Sequence, residues 1–465
     1  MIAAPPPLSS CCFATLARMS DAHHATDEIL IEAEPPLVFC PLGFERRAFQ
    51  RFGKLPVITI GPGAEAVRRA FAERARWPVQ EPRLVVLLGL AGGLRGTARA
   101  GQSVSVATIV GEDGTPLFRA PVTDSGLSVV EAQAVVATST EKRALAARSG
   151  ADLVDTESRA FAACASAARL PWAIVRGVAD DVDTNLPREL AGFVDASGET
   201  RIQRVLAAVL RRPSLIADLA RIGRTSRAAM RHASFDADAL GCLTGLDLCG
   251  EHAPLVVFGG SFDPPHARHA TALADAMRAL HAPAAMVIPA AVNPFKTATP
   301  PADAESRLAM CRASFAPGSA EFPAEVRLSR IEIDRAGPSY TIDTLSALVA
   351  RRPKLAGAMH FLVGSDSIRG IASWHRWREL LAIARPAVVV RPPDTRASVA
   401  SFLDEFARAS GFADAPGWLL DVPSVELDST SIRAAIARGE RPLGLADGVW
   451  SEITRRRLYG FGDAR

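Results

Sequence analysis

The segment Val257-Phe258-Gly259-Gly260-Ser261-Phe262-Asp263-Pro264-Pro265-His266-Ala267-Arg268-His269 sets two histidines three residues apart behind a glycine pair and a proline pair. Gly259 and Gly260 let the backbone pass close to a ligand where a Cβ would collide with phosphate oxygens. A helix can begin after Pro264-Pro265, which puts His266 and His269 on one face of its positive end. Two imidazole donors and free backbone N–H groups then converge on an anion, as a nucleoside triphosphate would require. Far downstream, Ser429-Thr430-Ser431-Ile432-Arg433 follows an extended stretch and opens another helix, offering hydroxyls, N–H groups and a guanidinium to phosphate oxygens.

These groups need a frame. The apolar run Leu255–Phe258 predicts a central strand, and further strands are expected at Met286–Pro289, His360–Val363, Ala387–Arg391 and Trp418–Leu420, each followed by a helical stretch. Upstream, short β-branched runs at Leu37–Cys40, Val57–Ile60, Leu84–Leu88, Val104–Val110 and Ala173–Val175 alternate with helical segments near 63–76, 157–169 and 201–232. The fold class read from this pattern is α/β, as two doubly wound, Rossmann-like domains. The expected division is a disordered segment over 1–34, a first domain over 35–232, a linker over 233–253 where periodicity lapses, and a second domain over 254–465.

Composition excludes several classes. The 465 residues are 48% hydrophobic, enough for more than one core. The longest apolar stretch, Leu84 to Leu94, is too short and glycine-rich for a membrane span, which needs roughly 20 apolar residues. The N-terminus lacks the basic and apolar segments of a secretory signal, and Met19 offers a second possible start. Seven cysteines form no CxxC pair and no zinc spacing, so neither a structural metal nor a disulfide framework is expected, and a reducing cytoplasm fits. A net charge of +3 from nearly balanced totals gives no case for nucleic acid.

The histidine segment resembles the GG(S/T)FDPxHxGH signature of the nucleotidyltransferase superfamily, and residues 255–460 are similar to bacterial nicotinate-nucleotide adenylyltransferase. The matches run in order: Asn293-Pro294-Phe295-Lys296, Ser306-Arg307, Gly337-Pro338-Ser339-Tyr340-Thr341-Ile342-Asp343-Thr344-Leu345, Val363-Gly364-Ser365-Asp366-Ser367 with Trp374, and Asp428 to Arg433. The resemblance implies adenylyl transfer from ATP to nicotinate mononucleotide, giving the deamido dinucleotide and pyrophosphate. The chemistry is positioning and charge neutralisation. By resemblance the catalytic residues are His266, His269, Lys296 and Arg433. Gly259, Gly260, Ser261, Phe262, Ser429, Thr430, Ser431 and Ile432 would bind ATP. Ser339, Tyr340, Thr341, Gly364, Asp366 and Trp374 would hold the nicotinate nucleotide, with Trp374 as the aromatic face or simply a core residue. Mg²⁺ is expected to ride on the ATP phosphates. Nicotinamide mononucleotide and phosphopantetheine are the rival acceptors. Where the family usually has glycine between the histidines, this chain has Arg268, which either points to solvent, reaches a phosphate, or crosses the cradle.

In the N-terminal half, Gly89-Leu90-Ala91-Gly92-Gly93-Leu94 reads as a glycine turn after a strand. With Val154-Asp155-Thr156-Glu157-Ser158 and Val175-Arg176-Gly177-Val178-Ala179-Asp180-Asp181, it resembles the purine nucleoside phosphorylase and nucleosidase superfamily, in its hopanoid-associated branch, over residues 37–230. N-glycosidic cleavage needs an acid for the leaving base and an anion near the ribose. Mapped by motif, Asp180 protonates a purine, Glu157 holds ribose hydroxyls, Glu45 activates water, and Gly92 lets the nucleoside approach. Thr156 stands where the family has methionine and Ala179 where it has serine, so a catalytically silent module for nucleoside sensing or oligomerisation is the alternative. Members of both resembled families often associate, so a homo-oligomer is a possible partner state that the sequence leaves open.

Overall fold

The computed structural model describes residues 27–123, 126–292, 302–318, 320–335, 337–423 and 429–462. The chain divides into two compact units, Glu34–Leu243 and Thr244–Arg465, the latter joined by the short stretch ahead of Glu34. In that stretch β1 (Asp27–Ile31) is a strand of the C-terminal unit, where disorder to residue 34 was expected. Its Leu30 and Ile31 pack against an apolar cluster of that unit, while Glu28 and Ile29 are exposed, as an edge strand allows.

The N-terminal unit contains β2 (Leu37–Cys40), β3 (Val57–Thr59), β4 (Val85–Gly93), β5 (Ser103–Val110), β6 (Pro116–Arg119), β7 (Leu127–Glu131), β8 (Leu153–Asp155) and β9 (Trp172–Asp180). It is α/β as expected, but its sheet is not open: β4, β8, β7, β5 and β9 pair in a closed ring, with β2 and β3 extending beyond β4. The expected glycine turn at Gly89–Gly93 is instead the end of β4, paired to β9 with a register slip between Ala91 and Gly92. Pro213 breaks the expected helix 201–232 into Ile202–Arg211 and Leu215–Ala239. The latter helix runs on through the start of the expected linker, so the first unit extends to Leu243 rather than 232.

The C-terminal unit holds β10 (Leu255–Gly260), β11 (Ala284–Pro289), β12 (Glu325–Ser329), β13 (Met359–Gly364) and β14 (Ala384–Val389) in the order β1-β12-β11-β10-β13-β14. All neighbours are parallel except β1, which runs against β12. Leu255 and Val257 join one apolar cluster, Val256 and Phe258 another, so β10 is covered on both faces. The chain reverses direction across the sheet between β10 and β13, and a doubly wound sheet opens a crevice at that point, beyond the strands' carboxyl ends. Of the expected strand Trp418–Leu420, Trp418 ends a 3₁₀ turn that begins at Ala415, and Leu419 makes a single bridge to Val388. β12 escaped the sequence reading: its Glu325 and Arg327 make the run look polar, yet they pair at 2.6 Å and are buried.

Candidate functional site

The C-terminal cleft lies at this reversal point. Its walls include Phe258, His266, Arg268, His269, Gly364 and Arg391. A Cβ on Gly259 would meet open space, as a backbone facing a ligand should, whereas one on Gly260 would lie 3.1 Å from the Phe262 ring. Phe262 has φ +47°, a costly conformation for a bulky residue. Ring packing holds it there, edge-on to Phe258 at 5.2 Å and to His269 at 5.3 Å.

His266 is extended and precedes the helix Ala267–Leu280. Its backbone N–H donates to His269 Nδ1 at 3.2 Å, and the two rings lie 3.8 Å apart between centroids, tilted by 30°. An accepting Nδ1 fixes the neutral tautomer whose Nε2 is the N–H donor. The structure therefore brings the predicted histidine pair together and directs its polarity. Arg268 is exposed at the cleft wall.

The helix Ser429–Ala437 attaches to the same loop. Arg433 Nη1 donates to the Asp263 carbonyl at 2.7 Å, Arg433 Nη2 to Thr430 Oγ1 at 3.3 Å, and Ser429 Oγ to the Pro264 carbonyl at 3.1 Å. Tyr459 and the Ala302 N–H both donate to Asp263 Oδ1. Arg433 is thus tied to the turn leading into His266, and it is not among the cleft's lining residues. The Ile432 side chain is core, packed with Met310, Ile436 and Val449. Lys296 and Asp428 lie outside the described residues.

The acceptor candidates sit at the carboxyl ends of β11 and β13. Ser339 Oγ accepts from the Ala291 N–H at 2.9 Å, and the Tyr340 ring lies 4.4 Å from that of His375, tilted by 35°. Tyr340 immediately precedes the helix Thr341–Arg351. Trp374 is half-buried, packs against the core and lies 6.0 Å from Phe361, which favours the packing role. A Cβ on Gly364 would strike the Asp366 and Arg391 side chains, themselves paired at 3.5 Å.

Three residues were missed. Arg391 lines the cleft from just beyond β14, with a basic residue at a strand's carboxyl end as its signal. His375, beside Trp374, had no signal of its own. Arg307, matched only as part of a motif, is buried and donates to the carbonyls of Ser261, Ala290, Ala291 and Ala302, clamping the ends of β10 and β11.

In the N-terminal unit two of the predicted carboxylates, Glu45 and Asp180, approach β4 at Gly89 and Gly92, and the third, Glu157, shares Arg176 with the first position. The fully buried Arg176 bonds Asp155 at 2.6 Å and Glu157 at 3.3 Å, and its other terminal nitrogen lies 2.6 Å from where a Cβ on Gly89 would stand. Glu45 faces the same spot, accepting from the Leu90 N–H at 2.8 Å and the Leu42 N–H at 2.9 Å. One guanidinium thus serves three carboxylates, and burial pushes Glu45 up to about 8. Burial also raises Glu157, against the pull of Arg176. Glu157 further accepts from the Gly63 N–H at 2.8 Å and from the Thr156 hydroxyl.

Asp180 ends β9 near Gly92, whose added Cβ would lie 3.5 Å from its carboxylate. Burial raises Asp180, and the buried Lys142 that pairs with it opposes the rise. Lys142 also donates to the carbonyls of Asp181 and Thr184. Sequence reasoning overlooked Arg176, although a charge inside an apolar strand was a usable signal. It also overlooked Lys142, which looks like any surface lysine of an amphipathic helix.

Residues 257–435 match the cytidylyltransferase-like family, and residues 118–211 match the phosphorylase superfamily. A probable nicotinate-nucleotide adenylyltransferase of Acidithiobacillus ferrooxidans is 34% identical over 218 residues, 45% of this chain and 96% of that protein. Its counterpart from Aeromonas salmonicida is 38% identical over 216 residues, covering 44% and 97%. Among solved structures, Plasmodium falciparum nicotinic acid mononucleotide adenylyltransferase complexed with NaAD aligns at 17% identity and TM-score 0.36, over 45% of this chain and 99% of that one. A Helicobacter pylori 5'-methylthioadenosine/S-adenosyl homocysteine nucleosidase aligns at 12% identity and TM-score 0.32, over 46% and 100%.

Proposed function

The chain belongs, through its C-terminal half, to the nicotinate-nucleotide adenylyltransferase family, and from that premise we propose that it transfers the adenylyl group of ATP to nicotinate mononucleotide, releasing pyrophosphate. The observation that carries this reading is the His266–His269 pair at the reversal point of the sheet, with His269 Nε2 as donor. In the cleft, the imidazoles hold phosphate oxygens near the reacting phosphorus, Arg268 and Arg391 add positive charge from its walls, and helix Ser429–Ala437 braces the loop through Arg433. Nicotinate mononucleotide enters past Ser339, Tyr340 and Thr341. Two imidazoles and two guanidiniums are donors for anions and not ligands for a hard cation, so Mg²⁺ would arrive bound to ATP. Such a reaction fits a cytoplasmic enzyme of NAD biosynthesis.

His269→Ala removes a transition-state donor and should lower kcat on the order of 100- to 1000-fold while the fold is retained, with a small loss of Tm from the lost cap on the His266 N–H. Full turnover by the variant would refute the phosphate role.

For the N-terminal unit we propose cleavage of a purine nucleoside, with Asp180 toward the base and Glu157 toward the ribose. The approach of Glu45 and Asp180 to β4 at Gly89 and Gly92, with Glu157 on the same Arg176 guanidinium that reaches Gly89, supports it. The ion pair of Asp180 with buried Lys142 favours the second reading, a silent nucleoside-binding module, because the lysine opposes the burial that would keep the acid protonated. Incubating the intact chain with adenosine-type nucleosides, with and without phosphate, decides between them. Adenine release supports catalysis; binding without release supports the silent module.

A further inference from the structure

The helix Ile202–Arg211 has no buried side chain. Ile202, Leu206 and Leu210 are 67%, 57% and 83% exposed, and Val205 and Val209 are half-buried. At helical spacing these five fall on one stripe about 140° wide, the width that normally faces a core. Ile216, 57% exposed, continues it beyond Pro213. Arg201, Arg204, Arg211 and Arg212 occupy the other side and flanks, and residues 201–212 contain no acid. The acids on either side are engaged, Glu199 with Arg47 at 3.0 Å, and Glu189 and Asp218 with Arg212 at 3.4 and 3.3 Å, which leaves Arg201, Arg204 and Arg211 as the cations offered to lipid. Scattered exposed leucines need no explanation, whereas a contiguous apolar stripe edged by cations does.

We propose that this helix docks the chain on the surface of an anionic lipid bilayer, the apolar stripe lying among the upper acyl chains and the arginines reaching lipid phosphates. A basic amphipathic helix without acids has the chemistry of an interfacial anchor. A second copy of the chain is a poorer occupant, since a helix with no acid offers no partner to the arginines of its mate, and Arg204 and Arg211 would point away from a stripe-to-stripe pair. The anchoring is peripheral, for no described helix is long and apolar enough to cross a membrane. The inference is independent of the activity proposed for either unit.

The test uses the full-length protein in flotation with phosphatidylglycerol-containing vesicles and with pure phosphatidylcholine vesicles. The variants are the triple Ile202→Gln/Leu206→Gln/Leu210→Gln and the pair Arg204→Ala/Arg211→Ala. These surface changes should leave the thermal transition in place. Binding to the anionic vesicles is expected to fall on the order of 100-fold in the triple variant and several-fold in the arginine pair, with little binding to phosphatidylcholine. Absence of wild-type binding, or binding unaltered in the triple variant, overturns the proposal. So does a wild-type dimer that floats with neither vesicle and becomes a monomer in the triple variant, which would assign the stripe to a second copy.

Discussion

Glu45→Gln tests the electrostatics of the N-terminal site. Burial places the folded pKa of Glu45 at about 8 against an ordinary 4.5. Between those values the native state holds a proton that the unfolded chain has lost, so stability falls as pH rises, by up to about 1.4 kcal/mol per pH unit. The contribution is complete below pH 4.5 and gone above about 8. A glutamine in its place cannot titrate. At pH 5 the variant should be the less stable by about 1–3 kcal/mol, because its amide presents one acceptor oxygen to a pair of N–H groups, from Leu42 and Leu90, that Glu45 satisfies with two. By pH 8 the difference should have swung about 4 kcal/mol in the variant's favour, reversing the order. For a unit of this size that is roughly 10 °C in Tm, readable by calorimetry of the full chain at half-unit pH steps. Parallel curves for the two proteins from pH 5 to 8 would refute the raised pKa and the carboxylate crowding behind it.

Arg268→Ala should raise the KM for ATP roughly tenfold with kcat little changed, as loss of one charge-assisted phosphate contact predicts; an unchanged or lower KM would mean the guanidinium faces solvent or obstructs the cleft. Arg307→Met should destabilise the C-terminal unit on the order of 3 kcal/mol, because buried carbonyls at the ends of β10 and β11 lose their donor; urea unfolding followed by circular dichroism would reveal a smaller effect if water replaces it.

The parts of the molecule that could be read from sequence are those whose physics is local. Gly259-Gly260 and the histidines of the helix start lie within one short segment, and the structure brings the two imidazoles together beside the open backbone at Gly259. Gly89–Gly93 misled because glycine signals a turn, whereas here small residues within β4 make room for the protein's own Arg176, Glu45 and Asp180. β12 was invisible because Glu325 and Arg327 cancel each other in the core, a fact that only their pairing discloses. Arg391 and His375 reach the site through sheet order, which brings distant segments to one edge without leaving a local pattern. Lys142 is a further case: its partner Asp180 lies 38 positions away in sequence.

The most direct measurement offers the intact protein ATP with nicotinate mononucleotide, nicotinamide mononucleotide or phosphopantetheine in turn and follows pyrophosphate. Release with nicotinate mononucleotide at a kcat/KM well above the other two is the predicted result. Pyrophosphate from none of the three, or faster turnover of either rival, would contradict the assignment.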